Sequence, residues 1–501
     1  MNKDRQSIIN LSKEEFKQAG HLLIDQIEDF LHSIQDRPVT YGETPDSFRK
    51  LINQGKLPEN GRSASELLQV ASELLFNHSL FNGHPKFLGY ITSSPAPIGM
   101  LGDLLADAVN SNCGAFILSP AATEIEKQTI QWLGEFIGLE GNYGGILVSG
   151  GNMANFTGFL AGRTAKAPAD TKQAGISRDA KMLIYCSAAT HTWIEKATVL
   201  FGLGTNAVRW IETDNQNRMN ISKLKETIKQ DIESGFQPIM IVGTAGDVST
   251  GAVDDLQSIA SVCKEFNLWF HIDGAYGLPA AVIPSYKSLF SGIQEADSIA
   301  IDPHKWLYAP LEAGCTLVKD PNTLINTFSS HPVYYNFDNQ ALEHTTNFYE
   351  YGLQNSRGFR ALKVWLGLQQ VGRNGYVSMI NEDIELSKRF FELAQQENEL
   401  EAVSHSLSIA TIRYVPVETT TDESQQEYLN TLNTNILNTL QQEGQAFLSN
   451  AVIQGKYCLR ACIVNFRTSL ADLEEIINII IETGRKEHSK ASLPFTAEKK
   501  I

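Results

Sequence analysis

The sequence predicts an α/β protein. A large domain carries a mixed, mainly parallel sheet with helices on both faces, and a smaller α+β domain follows it. Three observations predict this. Between residues 145 and 319 short apolar runs alternate with amphipathic stretches at helical spacing. A glycine turn, Ser149-Gly-Gly-Asn152, joins one such run to the stretch after it. Beyond Ser330 the texture changes to long helical patterns separated by isolated short strands. A chain of 501 residues exceeds one ordinary core, so two or three domains are expected.

Composition narrows the class. A hydrophobic content of 42% is that of a globular protein. The net charge of −16 argues against a nucleic-acid surface, and it is spread along the chain without a long acidic run. The opening residues, Met1 to Ser7, lack the apolar core of a signal peptide, and no stretch approaches a membrane span. The six cysteines show no CxxC spacing and no histidine-rich companion, so no metal site is expected. Buried thiols in a reducing cytoplasm are the expectation.

In order, residues 12 to 34 read as a helix opened by a capping box of Ser12 and Glu15. Its apolar stripe (Phe16, Leu23, Ile27, Phe30, Leu31, Ile34) needs a surface to bury against, a second subunit being one candidate. Residues 36 to 62 read as extended chain and turns, and Ala64 to Phe76 as a helix. The loop His84 to Pro95 is rich in small hydroxyl residues, among them Thr92 and Ser93, and loops of this kind line sites. Pro120 opens a helix through Ile137. Strands follow at 145–149, 181–186, 206–211, 239–243, 268–273, 298–301 and 314–319, with helices at 152–163, 190–200, 222–232 and 256–266 between the earlier ones. Later come helices at 359–371, 379–396, 428–442 and 470–482, with strands at 408–414 and 456–464. The charged tail after Arg485 reads as frayed.

The chemistry concentrates at strand exits, where open α/β sheets place ligands. Asp302-Pro303 ends a buried strand, because proline has no N–H for a ladder, and His304 and Lys305 follow at once. A lysine there could simply reach solvent along its flexible stem. Upstream, Asp273 ends an apolar strand, and a buried carboxylate wants a cation. The glycine turn offers backbone N–H groups at a helix start, which suits a phosphate, although such turns also serve packing. His191 follows another strand; alone it reads as well as a helix-start or core residue. Together the phosphate cradle, a stacking imidazole, a partner for a protonated ring nitrogen and an amine for a Schiff base are what pyridoxal 5'-phosphate needs.

The chain resembles the group II pyridoxal-phosphate-dependent amino-acid decarboxylases, which include the aromatic-L-amino-acid and glutamate decarboxylases. The resemblance rests on His84-Pro85, Ser119 to Glu124, Ser149 to Asn155, Thr190-His191, His271 to Tyr276, Asp302 to Trp306 and Phe359 to Trp365. It spans about residues 15 to 480 in the family's order. It implies the aspartate aminotransferase-like fold (fold type I): an N-terminal helical dimerisation arm (1–85), a large cofactor-binding domain (86–375) and a small C-terminal domain (376–501). It implies that Lys305 holds the cofactor as a Schiff base, Asp273 pairs with the ring nitrogen, Ala275 lies beneath the ring and His191 stacks on its other face. Gly151 and Asn152 would bind the phosphate, Asp302 and His304 would assist at the lysine end, and Thr92 and Ser93 would face the substrate. The family's loop acid falls on Tyr334, with Tyr335 as the neighbouring alternative. A cytoplasmic homodimer with shared active sites is also implied, acting on a small amino acid and touching neither nucleic acid nor membrane.

Two departures bear on the substrate. Where the family reads Gly-Thr-Thr, this chain has Gly246-Asp247-Val248, which removes a hydroxyl near the cofactor; Ser249 or Thr250 could compensate. The loops matching the aromatic enzymes' pocket walls read Ile91-Thr92-Ser93 and Asn112-Cys113-Gly114-Ala115, a smaller and more polar lining without an added Arg or Lys. The expected reaction is decarboxylation of an L-amino acid to the amine and CO2, with an aromatic amino acid as one substrate. Glutamate, aspartate and 2,4-diaminobutyrate are alternatives. An aldehyde synthase or another lyase of the fold, or a non-catalytic cofactor-binding protein, are the further alternatives; the presence of Tyr334, His191, Asp273 and Lys305 argues against them.

Overall fold

The computed structural model describes residues 7, 9–52, 55–168, 171–177, 180–330 and 345–492. The chain opens with α1 (Lys13–Ser33), whose capping box forms as the Ser12/Glu15 pattern predicts. Helix α2 (Pro45–Ile52) corrects the expectation of extended chain over 36–62: proline starts it, and its residues stay exposed, so no buried stripe announces it. Helix α3 (Ala64–His78) packs on α1, with Phe30 and Phe76 stacked 4.5 Å apart. Helix α4 (Pro97–Val109) lay in a stretch to which the sequence assigned no element. Helix α5 (Pro120–Phe136) starts on its proline as expected.

The α/β core then runs β1 (Gly144–Val148), α6 (Gly151–Lys166), the single turn α7 (Thr171–Ala174), β2 (Met182–Ser187), α8 (Trp193–Leu200), β3 (Val208–Ile211), α9 (Ile221–Glu233), β4 (Gln237–Thr244), α10 (Leu256–Phe266), β5 (Trp269–Asp273), β6 (Ser298–Ile301), β7 (Gly314–Val318) and α11 (Asn322–Phe328). The seven strands lie in the order β1-β7-β6-β5-β4-β2-β3. Neighbours from β3 to β6 pair in parallel; β7 is antiparallel to both β6 and β1. Strands β2 and β5 are buried along their whole length, which is why they read as unbroken apolar runs. Register puts Thr244 beside Asp273 and Asp273 beside Ala300, so the carboxyl ends of these strands reach one edge together.

Helix α12 (Ala361–Gln396) joins the two patterns read over 359–371 and 379–396 into one element, broken only at Gly372, where φ is +65°. A second core lies on an antiparallel sheet of β8 (Leu400–Ser406), β9 (Ile409–Tyr414), β10 (Ser449–Ile453) and β11 (Lys456–Cys462), ordered β10-β11-β9-β8. Helices α13 (Gln426–Glu443) and α14 (Leu470–Ser492) cover it. The expected fraying after Arg485 is corrected as far as Ser492, where α14 ends, and Arg485 within it pairs with Glu399; residues 493–501 lie outside the described residues. Cys458 and Cys462 lie on β11, and all six cysteines are free and buried.

One buried ion pair ties the edge of the large sheet to its surroundings. The guanidinium of Arg357 donates to Glu126 at 2.6 and 3.2 Å and to the carbonyls of Leu147 and Cys113 at 2.6 and 2.9 Å. Glu126 in turn accepts the amide of Leu147. Every charge is answered, which is the condition for burying such a pair.

Asp383 on α12 is different. It is buried without a cation, and one oxygen accepts Trp306 Nε1 at 2.8 Å and the Tyr308 hydroxyl. Burial pushes its pKa up to about 7, against the lowering pull of those two donors. The folded chain therefore holds a proton that the unfolded chain releases near its ordinary pKa of about 3.9, and stability falls as pH rises through that window. Asp383→Asn keeps an acceptor and removes the charge. Its stability gain over the wild type, read from urea midpoints, should grow between pH 5 and 8; parallel pH profiles would contradict this.

Candidate active site

At the sheet's carboxyl edge a cleft of about 850 Å³ opens between the two cores. Ser149 and Gly150 turn the chain out of β1 and into α6. Gly150 has φ +112°, a conformation side chains resist, and a Cβ on the facing Gly314 would lie 2.6 Å from the Gly150 carbonyl carbon. No side chain caps α6, so its first N–H groups and its positive dipole end are free for an anion.

Asp302 follows β6 and is 1% exposed. Its Oδ2 lies 3.1 Å from Lys305 Nζ, and its Oδ1 is buried with no partner. A Cβ on Gly151 would fall 2.5 Å from that Oδ2, so the glycine is what lets the start of α6 approach the carboxylate. His304 Nδ1 lies 2.6 Å from the Ala313 carbonyl, a contact that requires the proton on Nδ1. Burial lowers the His304 pKa, so the ring is neutral at pH 7. Thr92 lines the cleft; the Ser93 hydroxyl instead donates to the His304 carbonyl at 3.0 Å and steadies the lysine turn.

Asp273 ends β5. Its Oδ2 accepts the indole N–H of Trp193 at 2.7 Å, and its Oδ1 accepts the amide of Ala275 at 3.3 Å. Ala275 lines the cleft beside it. His191 presents its ring to the opening, and its Nδ1 accepts the Trp193 amide at 3.3 Å. The ring keeps solvent access, yet the walls desolvate it enough to lower its pKa, Asp273 opposing and Lys305 assisting. Behind them, His271 is locked. Ser298 Oγ accepts Trp269 Nε1 at 2.8 Å, so it gives its own proton to His271 Nδ1 at 2.7 Å, and His271 Nε2–H goes to Asn155 Oδ1 at 2.8 Å. Burial takes the His271 pKa down to about 4, and the neutral ring ties the start of α6 to β5.

The carboxylate of Asp247, which replaces the family's hydroxyl, turns inward. It accepts the amides of Ser249, Thr250 and Ala252 and the Thr250 hydroxyl, so it organises its own loop. Gly246, Asp247, Val248 and Ser249 all line the cleft. Loop residues Asn112 to Ala115 do not line it; they are fastened to Arg357. Tyr334 and Tyr335 lie outside the described residues.

Sequence reasoning missed Arg460. It sits on β11 in the second core, 3% exposed, and lines the cleft. Its Nη1 donates to Ser449 Oγ at 2.7 Å and to the Tyr90 carbonyl at 3.2 Å; its Nε and Nη2 are buried without a partner. The available signal was a lone charge inside the apolar run Cys458 to Cys462. Trp193 was missed as well, for want of any local pattern.

Comparison with known proteins agrees with this geometry. Residues 45–414 match the family described as the pyridoxal-dependent decarboxylase conserved domain. Residues 390–491 match the PDXDC1-like second central domain. The chain is 32% identical to an aromatic-L-amino-acid decarboxylase of Bacillus atrophaeus, over 98% of this chain and 99% of that protein. It is 28% identical to a phenylacetaldehyde synthase of a Rosa hybrid cultivar, over 96% and 95% respectively. The crystal structure of Oryza sativa TDC with PLP and tryptamine superposes with a TM-score of 0.88 at 23% identity, covering 96% of this chain and 99% of that one.

Two substitutions test the cleft. Lys305→Ala should abolish the absorbance of covalently held pyridoxal phosphate. Gly151→Ala should displace Asp302 and weaken cofactor retention about tenfold or more, about 1.4 kcal/mol, with the far-ultraviolet dichroism unchanged. Retention equal to wild type would show that the close approach is unimportant.

Proposed function

The chain belongs to the pyridoxal-dependent decarboxylase family, and from that premise we propose that it removes CO2 from an aromatic L-amino acid to give the amine. The carrying observation is the convergence of Lys305, Asp273, His191 and the glycine turn on one cleft, in a chain alike over its whole length to an aromatic-L-amino-acid decarboxylase. The residues fit the cofactor. A phosphate suits the uncapped start of α6 at Gly151 and Asn152, and the unpartnered Asp302 Oδ1 has room for a donor.

When bound, pyridoxal phosphate supplies a carbonyl for the amine and a protonated ring that takes up the electron pair left by departing CO2. In this reading Lys305 supplies the amine that holds it, and Asp302, beside the Lys305 Nζ, fixes that amine's position. Asp273 would answer the charge on the ring nitrogen, and Ala275 and a neutral His191 would contact the ring. His304, Ser93 and Thr92 shape the lysine and substrate side. The proton that must return to the substrate carbon comes from Tyr334, with Tyr335 as the alternative.

The finer statements belong to the same reading. The chain divides as 1–85, 86–375 and 376–501. It works as a homodimer: α4 packs its small residues Gly99 and Gly102 on the body and leaves Leu101, Leu104, Leu105 and Val109 more than half exposed, a face suited to a second copy. Six free buried thiols suit the reducing cytoplasm, and no helix among the described residues is long and apolar enough to cross a membrane.

Arg460 favours a second reading. Its Nε and Nη2, unpaired among the described residues in a side chain that lines the cleft, suit an anion, and hence an amino acid with an acidic side chain. Carbon dioxide release should be followed over the twenty L-amino acids, L-DOPA, 5-hydroxytryptophan and 2,4-diaminobutyrate, with amine and aldehyde products measured together. An aromatic amine as the main product is the expected result. Dominant turnover of an acidic substrate, lost in Arg460→Gln, would replace the first reading with the second; aldehyde with ammonia and peroxide would make the chain an aldehyde synthase.

A further inference from the structure

Asp273 is the carboxylate that the proposed chemistry places against the cofactor ring, and nothing in that chemistry explains Trp193. The indole is 1% exposed and stands at the first residue of α8, two positions after His191. Its Nε1–H donates to Asp273 Oδ2 at 2.7 Å, across 80 residues of sequence. The ring is pinned on two sides, edge-on to His271 at 5.7 Å and to Phe159 at 6.3 Å. His271 is itself held at both nitrogens by Ser298 and Asn155. The donor therefore cannot swing away from the carboxylate without unpacking the start of α6 from β5.

We propose that Trp193 is a positioning residue for Asp273: its indole N–H holds that carboxylate in one plane, so that a heterocyclic nitrogen brought to it meets a fixed acceptor. The inference rests on the reading that Asp273 faces the cofactor ring. The bond removes rotation about the Asp273 side chain before the ring arrives, which leaves less to be ordered on binding. The other donor, the Ala275 amide at 3.3 Å, is long and reaches only Oδ1, so it does not hold the plane alone.

The test compares full-length wild type, Trp193→Phe, Trp193→His and Asp273→Asn, each loaded with pyridoxal phosphate labelled with ¹⁵N in the ring. Counted outward from Cγ, His Nε2 occupies the ring position of Trp Nε1, so Trp193→His restores a donor where Trp193→Phe has none. The ring-nitrogen chemical shift reports protonation directly, and release of cofactor into excess apo-acceptor gives its off-rate. Trp193→Phe should release cofactor about tenfold faster, lose ring protonation at a lower pH, and lower kcat with KM within about twofold. Trp193→His should recover most of each. If Trp193→Phe matches wild type in shift and off-rate while Asp273→Asn does not, the proposal for Trp193 is wrong. If Asp273→Asn also leaves the ring shift unchanged, the reading of Asp273 itself fails. Should the phenylalanine variant not fold, benzothienylalanine at 193 keeps the bicyclic shape, replaces the N–H by sulfur, and is judged by the same two readouts.

Discussion

The burial of Asp302 sets the terms for the rest of the site. A carboxylate that is 1% exposed at a strand exit is costly unless positive charge stands close to it. Lys305 Nζ at 3.1 Å and the start of α6 supply it. Each then constrains the sequence. Helix α6 comes close enough only because residue 151 has no side chain, and the turn ahead of it closes only with glycine at 150 and glycine on β7 at 314. Lysine must stand three residues past the aspartate, on a turn where its amine folds back toward the sheet. The amine a Schiff base needs and the helix start a phosphate needs are thus adjacent for an electrostatic reason that exists before any ligand binds.

The lysine turn is held from outside as well. Trp306 stacks on Tyr276 at 5.1 Å, and Trp306 and Tyr308 both donate to Asp383 on α12. Asp383 carries no compensating cation, so this anchor costs stability as pH rises while it fixes the segment on either side of Lys305. Behind Asp273, Trp193 donates to the carboxylate and packs edge-on against His271, which is held at its two nitrogens by Ser298 and Asn155. Buried polar groups of this kind are favourable only when every member is answered.

What could be read from the sequence follows from the range of each interaction. Lys305, Asp302, Asp273 and the glycine turn announce themselves because strand, exit and functional residue lie within a few positions, and the strands are apolar on both faces. Arg460, Trp193 and Asp383 do not. Their partners are set by the fold: the Tyr90 carbonyl for Arg460, Asp273 for Trp193, the lysine turn for Asp383. Helix α2 was missed because its exposed residues leave no buried stripe. The end of α14 was missed because its last turns keep the charged residues that a frayed tail would also show. Asp247 is the instructive middle case: the substitution was plain in the sequence, but that its carboxylate turns into its own loop required coordinates.

The cleft has two walls of different origin, and this bears on specificity. The first wall comes from the large sheet: the glycine turn, Asp273, Asp302 and Lys305, each fixed by backbone geometry or by buried bonds. The second wall comes from the loop at Tyr90 to Thr92 and from Ser449, Asn450 and Arg460 on the second sheet. Loop and second sheet are joined by the Arg460 bonds to the Tyr90 carbonyl and to Ser449. A side chain on the second wall can change without disturbing the charge balance around Asp302, whereas a change on the first wall cannot. Relatives that share this fold and differ in product, an aromatic-amino-acid decarboxylase and an aldehyde synthase among them, fit that division. The charge balance around Asp302 constrains one side; on the other, a single contact to a ligand is worth about 1–3 kcal/mol. Arg460 stands on this second wall and is held by one nitrogen alone, its Nε and Nη2 buried without a partner among the described residues.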